Sequence, residues 1–196
     1  MNKEKREVRS FTNFQLRDSE NVDSQEVVGV PVVFNHPTCL YEYDGIKFYE
    51  VIDRHAFDEC DMSDVVFNYN HGGHIAARTR NKTLELKKND SQLEMVAFLG
   101  GTSYGKELLE EIRGGYVDKM SFAFEVDVDG SVYDKNTHTR TITKIKKLYD
   151  VSAVDFPAYD STSISARSFF NEQIQLEKEE FVKERKRKKI LIKTKL

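Results

Sequence analysis

The clearest period-two alternation in the chain is Lys119-Met120-Ser121-Phe122-Ala123-Phe124. It predicts a strand with one buried face. Met120, Phe122, Phe124 and Val126 share the inward face, and Ser121 and Ala123 share the other. Two small side chains between Lys119 and Glu125 predict a shallow dip, with a half-exposed hydroxyl held on a rigid strand. Further strand patterns lie at residues 8–11, 27–34, 46–51, 65–69, 83–88, 93–99 and 139–154. Pro31 places its strand at an edge or on a bulge, because proline donates no ladder hydrogen bond. Tyr43-Asp44-Gly45 and Asn89-Asp90-Ser91 read as turns. Gly72-Gly73 reads as a strand break, and residues 17–26 and 127–138 read as polar connections.

The period lengthens in three places. Asp53 predicts the N-cap of a short helix through Ala56, Phe57 and Cys60. Ser103 predicts the cap of a helix over 104–113, with Leu108, Leu109 and Ile112 as its apolar stripe and Gly114-Gly115 as its stop. Phe170, Ile174 and Phe181 give a thin helical stripe in the tail, which reads as an appended helix outside the core. Strands punctuated by a few helices predict an α+β fold, a curled sheet or barrel with helices outside. Phe156-Pro157-Ala158-Tyr159 ends the last strand.

Composition narrows the classes. A chain of 196 residues is enough for one domain with a real core plus an extension. The net charge of −3 hides an asymmetry: residues 172–196 hold nine Lys and Arg against five Glu, a net of +4, which leaves −7 on the rest. The whole molecule therefore does not read as a nucleic-acid binder, although the basic tail could attract nucleic acid without specificity. Cys39 and Cys60 form no disulfide framework and no metal-ligand repeat, which suits a reducing compartment. No apolar run approaches the length of a membrane span. The charged N-terminus lacks the apolar stretch of a secretion signal. A cytoplasmic protein is expected.

Three residue types in this pattern suit acyl transfer. Ser121 is the candidate nucleophile, and a serine hydroxyl needs a base to take its proton as it attacks. His71 stands at a strand end, where an imidazole could serve near neutral pH. Asp150, read on the strand face of Leu148 and Ser152, could fix the tautomer of such a ring. Asp155 and Asp160 read as turn or surface carboxylates. His71 and His74 are three apart but straddle Gly72-Gly73, with no further ligand at useful spacing, so metal binding is not expected. Spacing alone does not bring Ser121, His71 and Asp150 together. On residues alone the reading ends at an α+β domain that could be hydrolytic.

Four blocks carry a resemblance. The first joins Val28-Gly29-Val30-Pro31-Val32-Val33-Phe34-Asn35 to Phe48-Tyr49-Glu50-Val51-Ile52 and Ala56-Phe57. The second is Val66-Phe67-Asn68-Tyr69-Asn70-His71. The third runs from Gly105 through Gly114 into Lys119-Met120-Ser121-Phe122-Ala123-Phe124. The fourth is Leu148-Tyr149-Asp150-Val151-Ser152-Ala153-Val154 with Pro157-Ala158. Together they resemble the prohead maturation proteases of tailed bacteriophages, serine proteases related to the herpesvirus assembly proteases. The resemblance implies a β-barrel-like core with peripheral helices, with Ser121 as nucleophile, His71 as general base and Asp150 as the third member. Relatives commonly carry glutamate at the third position, and aspartate is one methylene shorter. The segment His74-Ile75-Ala76-Ala77-Arg78 also departs, since many relatives have a glycine before the arginine. The amides near Gly72-Gly73 or Gly100-Gly101 are the candidate oxyanion donors.

The resemblance further implies an endopeptidase packaged inside the procapsid in the host cytoplasm. It would cut a scaffolding protein, or the scaffolding segment of the major capsid protein, and then itself, with no cofactor, metal or membrane. On this reading residues 1–168 form the protease domain. Residues 169–196 form a basic helical tail that could dock on capsid or scaffold and be removed by self-cleavage. The competing expectations are a non-catalytic capsid-assembly or scaffold-binding protein on the same fold, and a metal hydrolase using His71, His74 and a carboxylate.

Overall fold

The computed structural model describes residues 6–15, 17–18, 24–156 and 164–193. Among these, thirteen strands form three sheets, with two α-helices and no closed barrel. The mixed α+β class therefore holds, and the barrel gives way to packed open sheets. The first sheet has the order β1-β10-β13-β6-β7, from Glu7–Gln15, Lys119–Val126, Ile145–Val154, Val66–Tyr69 and Gly72–Arg78. The second is β2-β3-β9-β8, from Arg17–Asp18, Glu26–Val33, Gln92–Phe98 and Leu84–Lys88. The third is β11-β12-β5-β4, from Ser131–Asp134, Thr139–Ile142, Ile46–Ile52 and Thr38–Tyr43.

Met120, Phe122 and Phe124 are fully buried, in one core with Val27 and Val32 of β3, Leu93 and Met95 of β9, and Leu108, Leu109 and Ile112 of the first helix. That helix, α1, spans Ser103–Arg113, and its cap is Thr102, whose hydroxyl accepts the Gly105 N–H at 2.9 Å. Pro31 sits at a register shift between Gly29 and Val32, beyond Val27 and Val28 where β2 pairs, so the bulge accommodates it.

Several expectations change. The residues after Asp53 form successive turns and no helix. Asp53 Oδ1 accepts the His55 N–H at 2.7 Å, and Ala56, Asp58 and Cys60 each bond back only three residues. This local side-chain bond competes with continuation into a helix. The long strand expected over 139–154 is two strands in different sheets, because the N–H groups of Thr143 and Lys144 both turn to the Gly130 carbonyl. Gly72 does not end a strand pattern but opens β7. The polar stretch 127–138 contains β11, and β4 precedes the turn at Asp44.

The tail helix α2 spans Ile164–Lys193. Ala166 and Phe170 are fully buried in a second cluster with Phe48, packed by Tyr41, Tyr133 and Phe169. The expected division between residues 168 and 169 thus falls inside one helix. Pro157, Ala158 and Asp160, singled out in the sequence, lie outside the described residues.

Candidate active site

One rung of the first sheet carries four polar side chains. Antiparallel register sets Ser10 of β1 opposite Ser121 of β10, and Ser121 opposite Ser152 of β13. Parallel register sets Ser152 beside Asn68 of β6. Directly paired residues project from the same face. Ser121 is therefore aligned with its rung by main-chain pairing on both sides.

Asp150 stands on this face in regular alternation with Ser152, and a bulge immediately precedes it. Ala123 pairs with Asp150, but Phe124 pairs with Leu148, so Tyr149 is the extra residue. Simple alternation would put Leu148, Asp150 and Ser152 together. Asp150 and Ser152 do share the side of Ser121, and the bulge turns only Leu148 away, into the core.

His71 arrives from a hairpin turn. Tyr69 of β6 pairs with Gly72 of β7, and the two residues between them, Asn70 and His71, both have positive φ, +49° and +57°. That is the pattern of a two-residue type I′ hairpin, which normally favours Asn-Gly. Asn70 fits the rule and His71 breaks it. The turn is tied to β13 by the Asn70 N–H, which donates to the Ala153 carbonyl at 2.9 Å.

These placements produce a chain of contacts. His71 Nδ1 lies 2.7 Å from Asp150 Oδ1, and His71 Nε2 lies 2.7 Å from Ser121 Oγ. The shorter aspartate side chain reaches the ring. A carboxylate at Nδ1 selects the tautomer with its hydrogen there, leaving Nε2 as the acceptor. Ser121 Oγ also donates to the Arg9 carbonyl at 2.8 Å, so its single hydrogen has two acceptors. The hydroxyl is not half-exposed: Ser121 has 0% exposure and Asp150 has 1%. The turn and neighbouring strands cover the dip read from the sequence.

Burial and Arg6 together set the electrostatics of the site. The Arg6 guanidinium pairs with Asp150 Oδ2 and lies over the Tyr149 ring. Burial first, and the nearby positive charge of Arg6 second, push the His71 imidazole down to about 4. The ring is therefore neutral and able to accept a proton at pH 7. A cavity of about 320 Å³ opens beside His71, Asp150, Arg6 and Asn68, and Arg78, Asp64 and Lys147 also line it.

Other singled-out residues stand apart. His74 packs on Tyr104 at 5.5 Å between ring centroids. Asp155 binds the turn, accepting from the Phe156 N–H at 2.8 Å, while its own N–H meets Asn70 Oδ1 at 3.4 Å. Gly72 follows His71 directly, and Gly100-Gly101 joins β9 to α1. Cys60 is half-buried, and burial pushes its thiol up to about 12. Among the described residues, no group of three His, Cys, Asp or Glu side chains could hold a metal ion. No helix among them is long and apolar enough to cross a membrane.

Sequence reasoning assigned no role to Arg6, Arg9, Asn68 or Ser152. Asn68 and Ser152 were visible in the quoted blocks as polar positions within apolar strands. The parts played by Arg6 and the Arg9 carbonyl depend on strand pairing across more than a hundred residues, which no local pattern shows.

Comparison with known proteins adds the following. The model of the caudovirus prohead serine protease family matches residues 12–177, a span containing His71, Ser121 and Asp150 and ending within α2. Among solved structures, the bacteriophage T4 capsid assembly protease, gp21, is similar with a TM-score of 0.47 and 11% identity, over 76% of this chain and 97% of that one. No curated protein matches the sequence.

Proposed function

This chain belongs to the caudovirus prohead serine proteases, and from that premise we propose a serine endopeptidase whose Ser121, His71 and Asp150 form the catalytic triad. The observation that carries the assignment is the contact chain Asp150–His71–Ser121, with 2.7 Å at each link. Reaction starts from the rotamer in which the Ser121 hydrogen faces Nε2 and not the Arg9 carbonyl. Oγ attacks the peptide carbonyl carbon while Nε2 takes the proton. Asp150 holds the resulting imidazolium in place and offsets its charge. Collapse of the tetrahedral intermediate passes that proton to the leaving amine, and water repeats the sequence on the acyl-enzyme.

The substrates of this reading are a scaffolding protein, or the scaffolding segment of the major capsid protein, inside the procapsid. The protease itself follows as a later substrate. Residues 169–196 serve as the docking segment, with the basic stretch Arg185-Lys186-Arg187-Lys188-Lys189 as its contact. Removal of that segment accompanies maturation.

Co-expression with the major capsid and scaffolding proteins tests the assignment. Wild type is expected to trim the scaffold and shorten itself, and Ser121→Ala is expected to do neither while remaining folded. Trimming by a folded Ser121→Ala protein would overturn the role of Ser121. A second reading, a non-catalytic scaffold binder, draws on the complete burial of Ser121. It predicts incorporation into procapsids with uncut scaffold for both proteins.

A further inference from the structure

Ser152 is fully buried next to the proposed triad, and its hydroxyl touches three polar atoms. Oγ lies 2.6 Å from Asn68 Oδ1, 2.9 Å from Asp150 Oδ1 and 3.2 Å from His71 Nδ1. A serine brings one hydrogen to these contacts. If that hydrogen goes to Asn68 Oδ1, the Ser152 and Asp150 oxygens face each other without one. A half-turn of the Asn68 carboxamide resolves the conflict. Its NH2 then donates to Ser152 Oγ, and Ser152 donates to the same Asp150 oxygen that receives His71 Nδ1–H.

We propose that Ser152 is a positioning residue of the triad, held by Asn68 and fixing the Asp150 carboxylate against His71. The proposal rests on the triad reading given above. The placement follows from the fold: Ser152 and Asn68 share the rung of Ser121, and unbroken alternation from Ser152 puts Asp150 on the same side, two residues before the rung. Arg6 occupies Oδ2, so the two carboxylate oxygens are fixed by different partners, Arg6 on one and Ser152 with His71 on the other. A carboxylate held at both oxygens cannot rotate away from the ring. The charged and titratable groups nearest His71 are Asp150 and Arg6, and Asp64, Arg78, Lys147 and Tyr149 line the same cavity.

Two measurements test this on the full chain. The first is the rate at which a fluorophosphonate labels Ser121, followed by mass spectrometry from pH 4 to 9. Ser152→Ala is expected to label roughly ten- to a hundredfold more slowly, the scale set by loosening a catalytic group's position. Ser152→Thr, which keeps the hydroxyl, is expected to recover part of the rate. Asn68→Ala is expected to fall between Ser152→Ala and wild type. The second is an NMR titration of the His71 ring in the Ser121→Ala background, with and without Ser152→Ala. Loss of a donor to Asp150 leaves more negative charge facing the imidazolium, so the midpoint is expected to rise. Melting curves identify any variant that is unfolded, and Asn68→Ala then stands in for it. Folded Ser152→Ala and Asn68→Ala proteins with wild-type labelling rate and unchanged His71 midpoint would overturn the proposal. Failure of wild type to label at Ser121 would instead count against the triad reading, and the NMR titration would still decide whether Ser152 is coupled to His71.

Discussion

At the scale of single residues, His71 combines an unfavourable backbone with a favourable side-chain environment. A side chain with a Cβ costs about 1 kcal/mol or more in the left-handed region, where glycine costs almost nothing. The position at φ +57° thus gives up stability to aim an imidazole at Ser121. His71→Gly and His71→Ala both remove the ring, so their difference isolates the backbone term. His71→Gly is expected to be more stable than His71→Ala by about 1 kcal/mol, read from urea midpoints. Both variants are expected to be inactive. Burial first, and Arg6 second, hold down the ring's proton affinity. With His71 held near 4, activity is expected to persist well below the ordinary histidine value of about 6.5. Arg6→Gln removes a positive charge and frees Asp150 to act on the ring. Both effects favour the imidazolium, so the acid limb of kcat/KM is expected to move up in pH. The pH–rate profile of a peptide substrate measures it.

At the scale of elements, β1 does more than close the edge of a sheet. It delivers Arg6 and the Arg9 carbonyl to the site, and it is anchored by a buried charge cluster. Arg9 Nε donates to Glu50 Oε1 at 2.6 Å, and Arg140 Nη1 donates to Glu7 Oε2 at 2.9 Å. Arg9 also pairs with Glu7, and Arg140 packs over the Phe169 ring at 4.4 Å. Burial alone would raise the Glu7 carboxyl, but Arg9 and Arg140 outweigh it and hold the group below its ordinary value. The cluster joins β1 to β5 and β12, so two sheets meet through ions as well as apolar contacts. Glu50→Gln leaves Arg9 and Arg140 buried with one carboxylate and is expected to cost about 3 kcal/mol or more in urea denaturation. The double change Arg9→Met with Glu50→Leu removes a whole pair, keeps Glu7 with Arg140, and is expected to cost less than Glu50→Gln alone. None of this was readable beforehand. Period-two alternation gave the strand at Met120, Phe122 and Phe124, because core burial imposes that period locally. The bulge at Tyr149, the turn that lifts His71 and the pairing of β1 with β10 are set by partners distant in sequence. Alternation placed Asp150 beside Leu148 because a bulge leaves no mark in hydrophobicity. Strand position and residue chemistry made Ser121, His71 and Asp150 candidates, the resemblance joined them as one set, and their meeting came only from the fold.

At the scale of the whole molecule, α2 links the folded body to its basic end. A helix of thirty residues is about 45 Å long. Its first turns are structural: Phe170 is fully buried against Phe48 at 5.2 Å between centroids, and Phe169 covers Arg140. Farther along, the contacts become peripheral. Tyr133 donates to Glu177 at 3.4 Å, Lys135 meets Glu180 at 3.4 Å, and residues 181–188 are all exposed. Charge follows the same division, with the surplus of Lys and Arg concentrated beyond residue 182. A cut placed by composition and a cut placed by packing therefore have different consequences. Removing residues 172–196 keeps Ala166, Phe169 and Phe170 but takes the half-buried Ile174 off the Phe48 cluster, and is expected to cost about 1–2 kcal/mol, the rest of the segment being largely exposed. Phe170→Ala in the full chain opens a cavity under the helix and is expected to cost about 3–5 kcal/mol. If the exposed basic end is the docking segment, the shortened protein will still label at Ser121 with a fluorophosphonate at the wild-type rate but will be depleted from procapsids purified after co-expression. Phe170→Ala will show the reverse order of damage, losing stability first and incorporation only as far as it unfolds. Equal incorporation of the shortened and full-length proteins would remove the docking role from the tail and move it to the body of the protease.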